Sequence, residues 1–147
     1  MSGTHRLPKS LYCYSPLIIS GIALSALLIN YFRKQKITRY DVDERFTNAL
    51  AYNDLVFMSG QVGSGSNIEE QTKSALEEID SALLKAGSDK SKILELTIWL
   101  SDMAYYDAMN KVYDKWIVPS CPPPRACVQA KLAKPEYLIE IRVIAKV

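Results

Sequence analysis

Hydrophobic and polar residues recur along residues 37–147 with two different spacings, and each spacing predicts one kind of element. Apolar residues at alternate positions predict β-strands, and apolar residues three and four apart predict amphipathic helices. The predicted strands are 37–42, 50–59 with a turn at Asn53-Asp54, 93–101, 125–130 and 138–147. One predicted helix begins after Asn67 and ends before Gly87, and the second follows Asp102 and is stopped by Pro119.

The order of these elements predicts a two-layer α+β domain, with a mixed sheet and both helices packed on one face. The second face of such a sheet needs a cover of its own. Two apolar rows are available, Leu94-Leu96-Ile98-Leu100 and Ile139-Ile141-Val143-Ala145. Because an exposed apolar sheet face of that size is typical of an association surface, we expect an oligomer in which the sheets of neighbouring copies pack together.

Residues 1–36 form a basic leader ahead of the predicted domain at 37–147, and no acidic residue occurs before Asp41. Within the leader, residues 16–32 carry no charge, and a helix over them would be about 26 Å long, at the short end for a bilayer crossing. Aromatic and then basic residues follow at its C-terminal end, as at a membrane interface. Three interpretations stay open: a membrane anchor with the body facing the cytosol or matrix, a cleaved targeting sequence such as a mitochondrial one, or an extension outside the mature protein.

Composition and charge exclude several function classes. Hydrophobic residues make up 48% of the 147 residues, which is enough for one core. The single histidine, His5, lies in the leader, which argues against zinc sites built on several histidines and against Ser-His or Cys-His nucleophilic catalysis. Residues 41–147 hold 12 basic and 16 acidic residues, a net charge of −4, so we do not expect nucleic acid as a partner.

Arg125 and Glu140 are the side chains best suited to chemistry. Arg125 follows three consecutive prolines and opens the apolar strand RACVQA, so stiff backbone fixes the position of its guanidinium. A guanidinium binds a planar carboxylate through two parallel hydrogen bonds. Glu140 lies in the next strand between two isoleucines, where a carboxylate usually has a partner. A structural Arg125–Glu140 salt bridge, or two residues at a wet sheet edge, would explain the same pattern without chemistry.

Two separated motifs flank the predicted helices. The first is LVFMSGQVG at 55–63, and the second is PPPRACVQAKLAKPEYLIEIRVIA at 122–145. Both resemble the Rid family (RidA, YjgF, YER057c) of imine and enamine deaminases, which has a strand ending in Ser-Gly-Gln and, later, Pro-x-Arg-x-x-Val followed by Ile-Glu-Ile. The family's spacing of 15 residues between its Arg and Glu is kept here, and the stretch with Asn110, Tyr113 and Trp116 also fits. The resemblance covers residues from about 37 to 147.

The resemblance implies a chorismate-mutase-like α+β fold and a homotrimer with three sites at the subunit interfaces. It implies hydrolysis of reactive 2-imino and enamino acids, such as 2-aminoacrylate and 2-iminopropionate, to 2-keto acids and ammonia, with no metal and no cofactor. Arg125 would hold the substrate carboxylate, and Glu140 would orient or activate the attacking water. The backbone around Gly60 and Cys127 would hydrogen-bond the substrate, with Ser59 alongside.

One position departs from the family pattern. The family's deaminases commonly carry a Tyr fourteen residues before the Gly of Ser-Gly, and the corresponding residue here is Phe46, which has no hydroxyl. Phe46 is expected to form a wall of the pocket, and its lack of a hydroxyl favours an alternative in which the pocket binds a small carboxylate metabolite without catalysis. An endoribonuclease, an activity attributed to some family members, ranks below both because of the missing histidine and the acidic body.

Overall fold

The computed structural model of the protein describes residues 21–34 and 36–147. Within them, seven strands form one mixed sheet: β1 (Thr38–Val42), β2 (Thr47–Tyr52), β3 (Leu55–Met58), β4 (Gln61–Val62), β5 (Ile93–Leu100), β6 (Arg125–Gln129) and β7 (Ile139–Lys146). Their order across the sheet is β1-β2-β3-β7-β5-β6, and the short β4 pairs with β7. All pairs are antiparallel except β5 and β6, which are parallel. The predicted mixed sheet of an α+β domain is therefore confirmed, and β4 is a strand that the sequence pattern does not predict.

Two helices pack on one face of this sheet, α2 (Ile68–Lys85) and α3 (Tyr106–Trp116). The predicted signals at the ends of α2 are confirmed. The side chain of Asn67 accepts a hydrogen bond from the Glu70 backbone N–H, and Gly87, just past the helix, has a positive φ of 77°. Asp102 caps a short 3₁₀ turn rather than α3 itself, and α3 begins directly after that turn.

The apolar rows expected to cover the open face of the sheet lie instead beneath the helices. Leu96, Ile98 and Leu100 of β5 pair with Val143, Ile141 and Ile139 of β7, and all six are fully buried in the core with α2 and α3. The face without helices, called here the open face, carries a mixed set of half-buried and exposed side chains. That set includes Phe57, Thr97, Trp99, Glu140, Arg142 and Ile144. The sequence argument for association was therefore wrong about which residues face outward.

Leu94 also departs from the predicted alternation of β5. The pairing of β5 with β7 shifts register between Ile93 and Glu95, which is a β-bulge. Ile93 is consequently buried at 6% exposure, whereas Leu94 is 47% exposed. A strict two-residue period cannot anticipate such an extra residue, because one bulge moves every earlier side chain to the other face.

The hydrophobic part of the leader contains one described helix, α1 (Gly21–Lys34). With 14 residues it is about 21 Å long, well short of the roughly 30 Å of a bilayer core. None of the helices in the described ranges combines the length and apolar character needed to cross a membrane. The membrane anchor expected over residues 16–32 is therefore not supported, and residues 16–20 of that stretch lie outside the described residues.

Candidate active site

Arg125 lies at the start of β6, which is the edge strand of the sheet. It pairs with Leu96 of β5, whose side chain is fully buried under the helices, so Arg125 also points to the helix-covered face. The carbonyl of Pro124 accepts a hydrogen bond from the Leu96 backbone N–H at 3.1 Å. This hydrogen bond ties the end of the proline run to the central sheet. The side chain of Arg125 therefore extends from a backbone that is held in place, as the sequence predicts.

Three side chains of α3 hold the guanidinium of Arg125. Its Nη1 donates a hydrogen bond to Asn110 Oδ1 at 2.9 Å, and its Nη2 donates to the Tyr106 hydroxyl at 3.3 Å. The guanidinium carbon lies 4.6 Å from the centroid of the Tyr113 ring, close enough for a cation–π interaction. The two hydrogen bonds use two of the five N–H donors, so donors remain for a carboxylate.

Backbone amides accompany Arg125 along the outer edge of β6. The Pro124 carbonyl and the Ala130 N–H both bond to β5. Because alternate residues of a strand face the same neighbour, the even-numbered residues of β6 face β5, and the N–H and C=O groups of Arg125 and Cys127 face outward. The edge therefore presents a guanidinium and the backbone N–H of Cys127 two residues apart, a combination that suits the oxygens of a small acid.

Burial keeps the groups beside Arg125 neutral. It raises the pKa of the Cys127 thiol above its usual value, and the positive charge of Arg125 opposes this only in part. Burial also raises the pKa of the Tyr113 phenol, again against the effect of Arg125 and with a smaller contribution from Asp114. Neither group neutralises Arg125 at physiological pH. A protonated thiol is a poor nucleophile, so the useful part of Cys127 is its backbone.

Glu140 lies on the open face, where its direct cross-strand neighbours are Val62 of β4 and Trp99 of β5. Its carboxylate rests against the backbone of Gly60: a Cβ atom added to Gly60 would lie 1.8 Å from Glu140 Oε1. Position 60 therefore has no room for a side chain while the Glu140 carboxylate keeps this place. Any larger residue at this turn between β3 and β4 displaces the carboxylate.

Ser59 belongs to this turn, and Phe46 shares a groove with Gly60. The Ser59 hydroxyl donates a hydrogen bond to the Thr47 carbonyl at 2.7 Å, so its proton serves to hold the turn against β2. The side-chain amide of Gln61 donates to the Ser59 carbonyl at 3.0 Å and braces the same turn. Phe46 is 54% exposed and lines, together with Gly60 and Gln61, a surface groove of about 530 Å³.

The six predicted site residues thus form two separate groups within one chain. Arg125 and Cys127 lie on β6 on the helix-covered face. Glu140 contacts Gly60 at the β3–β4 turn, Ser59 precedes Gly60 in that turn, and Phe46 shares a groove with Gly60. Arg125 and Glu140 are two strands apart, about 10 Å across the sheet, and point to opposite faces. The Arg125–Glu140 salt bridge considered above is therefore absent from the chain.

Sequence reasoning did not single out Tyr106 and Trp99 as site residues. Tyr106 contacts Arg125 directly, and Trp99 lies opposite Glu140. The spacing of Tyr106, Asn110 and Tyr113, four and three residues apart on one helix stripe, is the signal that could have grouped them. Alternation places Trp99 on the face opposite Ile98 and Leu100, but nothing in its own sequence neighbourhood relates it to Glu140, which pairs with it from β7.

A family model described as Endoribonuclease L-PSP matches residues 36–147, more than half of the chain. The chain belongs to the Rid (YjgF) family. The structure of NMB1025, a YjgF family member from Neisseria meningitidis, superposes with a TM-score of 0.76 at 39% identity, covering 77% of this chain and 96% of that one.

Named relatives fit this Rid family assignment. A RutC family protein from Haemophilus ducreyi is 41% identical over 113 residues, covering 76% of this chain and 97% of the relative. Protein mmf1, mitochondrial, from Schizosaccharomyces pombe is 36% identical, covering 68% and 67%. Reactive Intermediate Deaminase A, chloroplastic, from Arabidopsis thaliana is 31% identical, covering 68% of this chain and 57% of its own length. The Rid family therefore includes a deaminase with this domain.

Proposed function

We propose that the protein hydrolyses reactive 2-imino and enamino acids, such as 2-iminopropionate and 2-aminoacrylate, to 2-keto acids and ammonia. The observation that carries this proposal is the guanidinium of Arg125, which α3 holds in place at the open edge of β6 with N–H donors to spare. Together with the outward N–H of Cys127, it suits the carboxylate of a small acid. The relative named as a reactive intermediate deaminase supports the same substrate class.

The reaction needs a placed water and no cofactor. The oxygen of water adds to the electrophilic imine carbon while Glu140 orients the water and accepts its proton. The nitrogen is then protonated, the carbon–nitrogen bond breaks, ammonia leaves, and a carbonyl group remains. An enamine first takes a proton on carbon and loses one from nitrogen, which gives the imine. Net, one water is consumed and one ammonia released for each 2-keto acid formed.

A complete site, in this proposal, is shared between two copies of the chain. The β6 edge of one copy supplies Arg125 and Cys127, and the turn of the next copy supplies Gly60 and Glu140. Arg125 and Glu140 of one chain face opposite sides of the sheet, which supports such a shared site. The homotrimer implied by the family resemblance is the assembly we propose.

A coupled assay tests the activity. An amino-acid oxidase generates the imine from an amino acid, semicarbazide traps the imine that remains, and the purified protein competes by releasing the 2-keto acid. The expected result is a fall in trapped imine that depends on protein concentration and is lost in Arg125→Ala. Equal trapping with and without the protein would contradict the deaminase function.

A second function, binding of a small carboxylate without turnover, is favoured by Phe46, which brings no hydroxyl to its groove. Calorimetric binding of pyruvate with no effect on imine trapping would support it over the deaminase. The family description names an endoribonuclease, but the acidic body and the lack of histidine after residue 5 argue against phosphate contacts and His-based acid–base cleavage. Cleavage of single-stranded RNA by nuclease-free protein would reverse this ranking.

A mitochondrial location is our proposal for the cellular site. The acid-free basic leader favours it, and one relative at 36% identity is named as mitochondrial. Fluorescence microscopy of the full chain, tagged at its C-terminus, should give a mitochondrial pattern. A diffuse pattern would contradict this location, and an unchanged mitochondrial pattern after deletion of residues 1–36 would contradict a targeting role of the leader.

A further inference from the structure

We propose that Tyr113 and Tyr106 are positioning residues, which fix the plane of the Arg125 guanidinium before a substrate arrives. The inference rests on the proposed function, because it concerns how the same guanidinium binds the acid. It gives the two tyrosines a role beyond filling the core and forming the helix. Tyr106 and Tyr113 lie on the face of α3 that also carries Asn110, directly beneath β6.

The two tyrosines restrict different motions of the guanidinium. The ring face of Tyr113, 4.6 Å from the guanidinium carbon, opposes tilting of the planar group away from the ring. The hydroxyl of Tyr106 and the Oδ1 of Asn110 hold the two terminal nitrogens and oppose rotation within the plane. Together they leave the guanidinium one orientation.

Such an arrangement matters because an arginine side chain is otherwise flexible. A free side chain must be ordered when it binds an acid, which weakens binding, whereas an ordered one has already been arranged by folding. Tyr113 itself is buried at 6% exposure, so its ring is a fixed surface for the guanidinium to rest on. The expected effect of removing them is weaker binding of the acid with little change in the chemical step.

Three substitutions test the two positions. Tyr113→Phe keeps the ring face, Tyr113→Leu removes it, and Tyr106→Phe removes only the hydroxyl. For each, KM and kcat are measured in the imine assay, and the Kd of 2-oxobutyrate is measured by calorimetry. We expect Tyr113→Leu to raise KM and Kd about tenfold and Tyr106→Phe about fivefold, with kcat within about twofold, because one cation–π contact or one hydrogen bond is lost. Tyr113→Phe should restore wild-type values.

A matched control separates positioning from stability. Tyr105 is half-buried against the same core and precedes α3, and among the described residues the hydrogen bonds and ring contacts of Arg125 go to Asn110, Tyr106 and Tyr113 instead. Tyr105→Leu should lower the midpoint of thermal unfolding, as we also expect for Tyr113→Leu, but leave KM and Kd unchanged. A rise of KM and Kd in Tyr105→Leu equal to that in Tyr113→Leu would overturn the inference.

Failure of the positioning role and failure of the deaminase function give different results. If the wild-type protein neither binds 2-oxobutyrate nor accelerates imine hydrolysis, the proposed function fails. If the wild type does both and Tyr113→Leu keeps its KM and Kd, the deaminase stands and the positioning role is wrong. Should Tyr113→Leu not fold, Tyr106→Phe decides the matter, since unchanged KM and Kd in that variant would overturn the role of α3.

Discussion

Arg125 and Glu140 occupy opposite faces of one sheet, separated by β5. Arg125 shares its face with the buried Leu96, and Glu140 shares its face with the half-buried Trp99. The two side chains therefore cannot converge on one small acid within a single chain. Any reaction that needs both groups needs one from each of two copies, so the proposed activity requires assembly.

Mixing two inactive variants tests this shared site. Arg125→Ala supplies an intact Glu140, and Glu140→Gln supplies an intact Arg125, and each alone should lack activity. In mixed cyclic trimers one site receives both wild-type residues, so an equal mixture that has exchanged subunits should regain about a quarter of wild-type activity. The measurement is the imine assay after unfolding and refolding the two variants together.

The control for complementation is a mixture of each variant with the double variant Arg125→Ala/Glu140→Gln. The mixture with Arg125→Ala contains no intact Arg125, and the mixture with Glu140→Gln contains no intact Glu140. Both mixtures should therefore stay inactive. If the equal mixture of the two single variants also stays inactive although mass spectrometry detects mixed oligomers, then Arg125 and Glu140 act within one chain or not at all.

Arg125→Lys tests the fork geometry of the guanidinium. A lysine keeps the charge but has a single nitrogen, so it cannot bind both carboxylate oxygens in parallel and also reach Asn110 and Tyr106. The loss of a charge-assisted hydrogen bond costs about 1.5–3 kcal/mol, so kcat/KM should fall at least about tenfold. Steady-state kinetics measure this, and wild-type kcat/KM in Arg125→Lys would rule out the clamp.

The sequence predicted the fold more fully than the site. Strand alternation, the Asn67 cap and Gly87 located the elements that the structure contains. The face on which each strand residue lies was harder to predict, because the bulge after Ile93 and the two-residue strand β4 leave no trace in a simple alternation. Arg125 and Cys127 lie together on β6, and Glu140 lies against Gly60, but their functional roles stay a prediction of the motif spacing. That spacing could not reveal that the chain holds these two pairs apart, because sequence spacing carries no information about the opposite faces of a sheet.

Gly60→Ala tests the contact between the β3–β4 turn and the carboxylate. The added Cβ would lie 1.8 Å from Glu140 Oε1 and 2.7 Å from its Cδ, so the carboxylate must move. We expect kcat to fall about tenfold or more, since a misplaced general base loses most of its effect. Because the Glu140 side chain is only half-buried and can turn toward solvent, the free energy of unfolding should change little.

Gly87→Ala is the matched control for that experiment. Gly87 has φ +77°, where an alanine is strained by about 1 kcal/mol, but an added Cβ there meets only Val147 Cγ1 at 3.8 Å. This variant should lose stability in urea unfolding and keep its kcat. The prediction for Gly60 is wrong if Gly60→Ala behaves like Gly87→Ala, with lower stability and full activity.

The ion pair between Asp41 and Lys85 links β1 to the end of α2 and predicts a pH dependence of stability. The side-chain hydrogen bond from Lys85 Nζ to Asp41 Oδ2, 2.6 Å long, lowers the pKa of Asp41 below its usual value of 3.8. A carboxyl group whose pKa is lower when folded stabilises the fold above its unfolded pKa, and this contribution is lost as the pH falls through the lower, folded pKa.

Asp41→Asn should therefore be less stable than the wild type at pH 7 and equal to it well below pH 3.8. The difference should be small and should shrink in high salt, because both side chains are about half exposed. Thermal unfolding of the two proteins from pH 7 down to acid, at low and high salt, measures it; a difference that grows in acid would mean that Asp41 is not stabilised as a carboxylate.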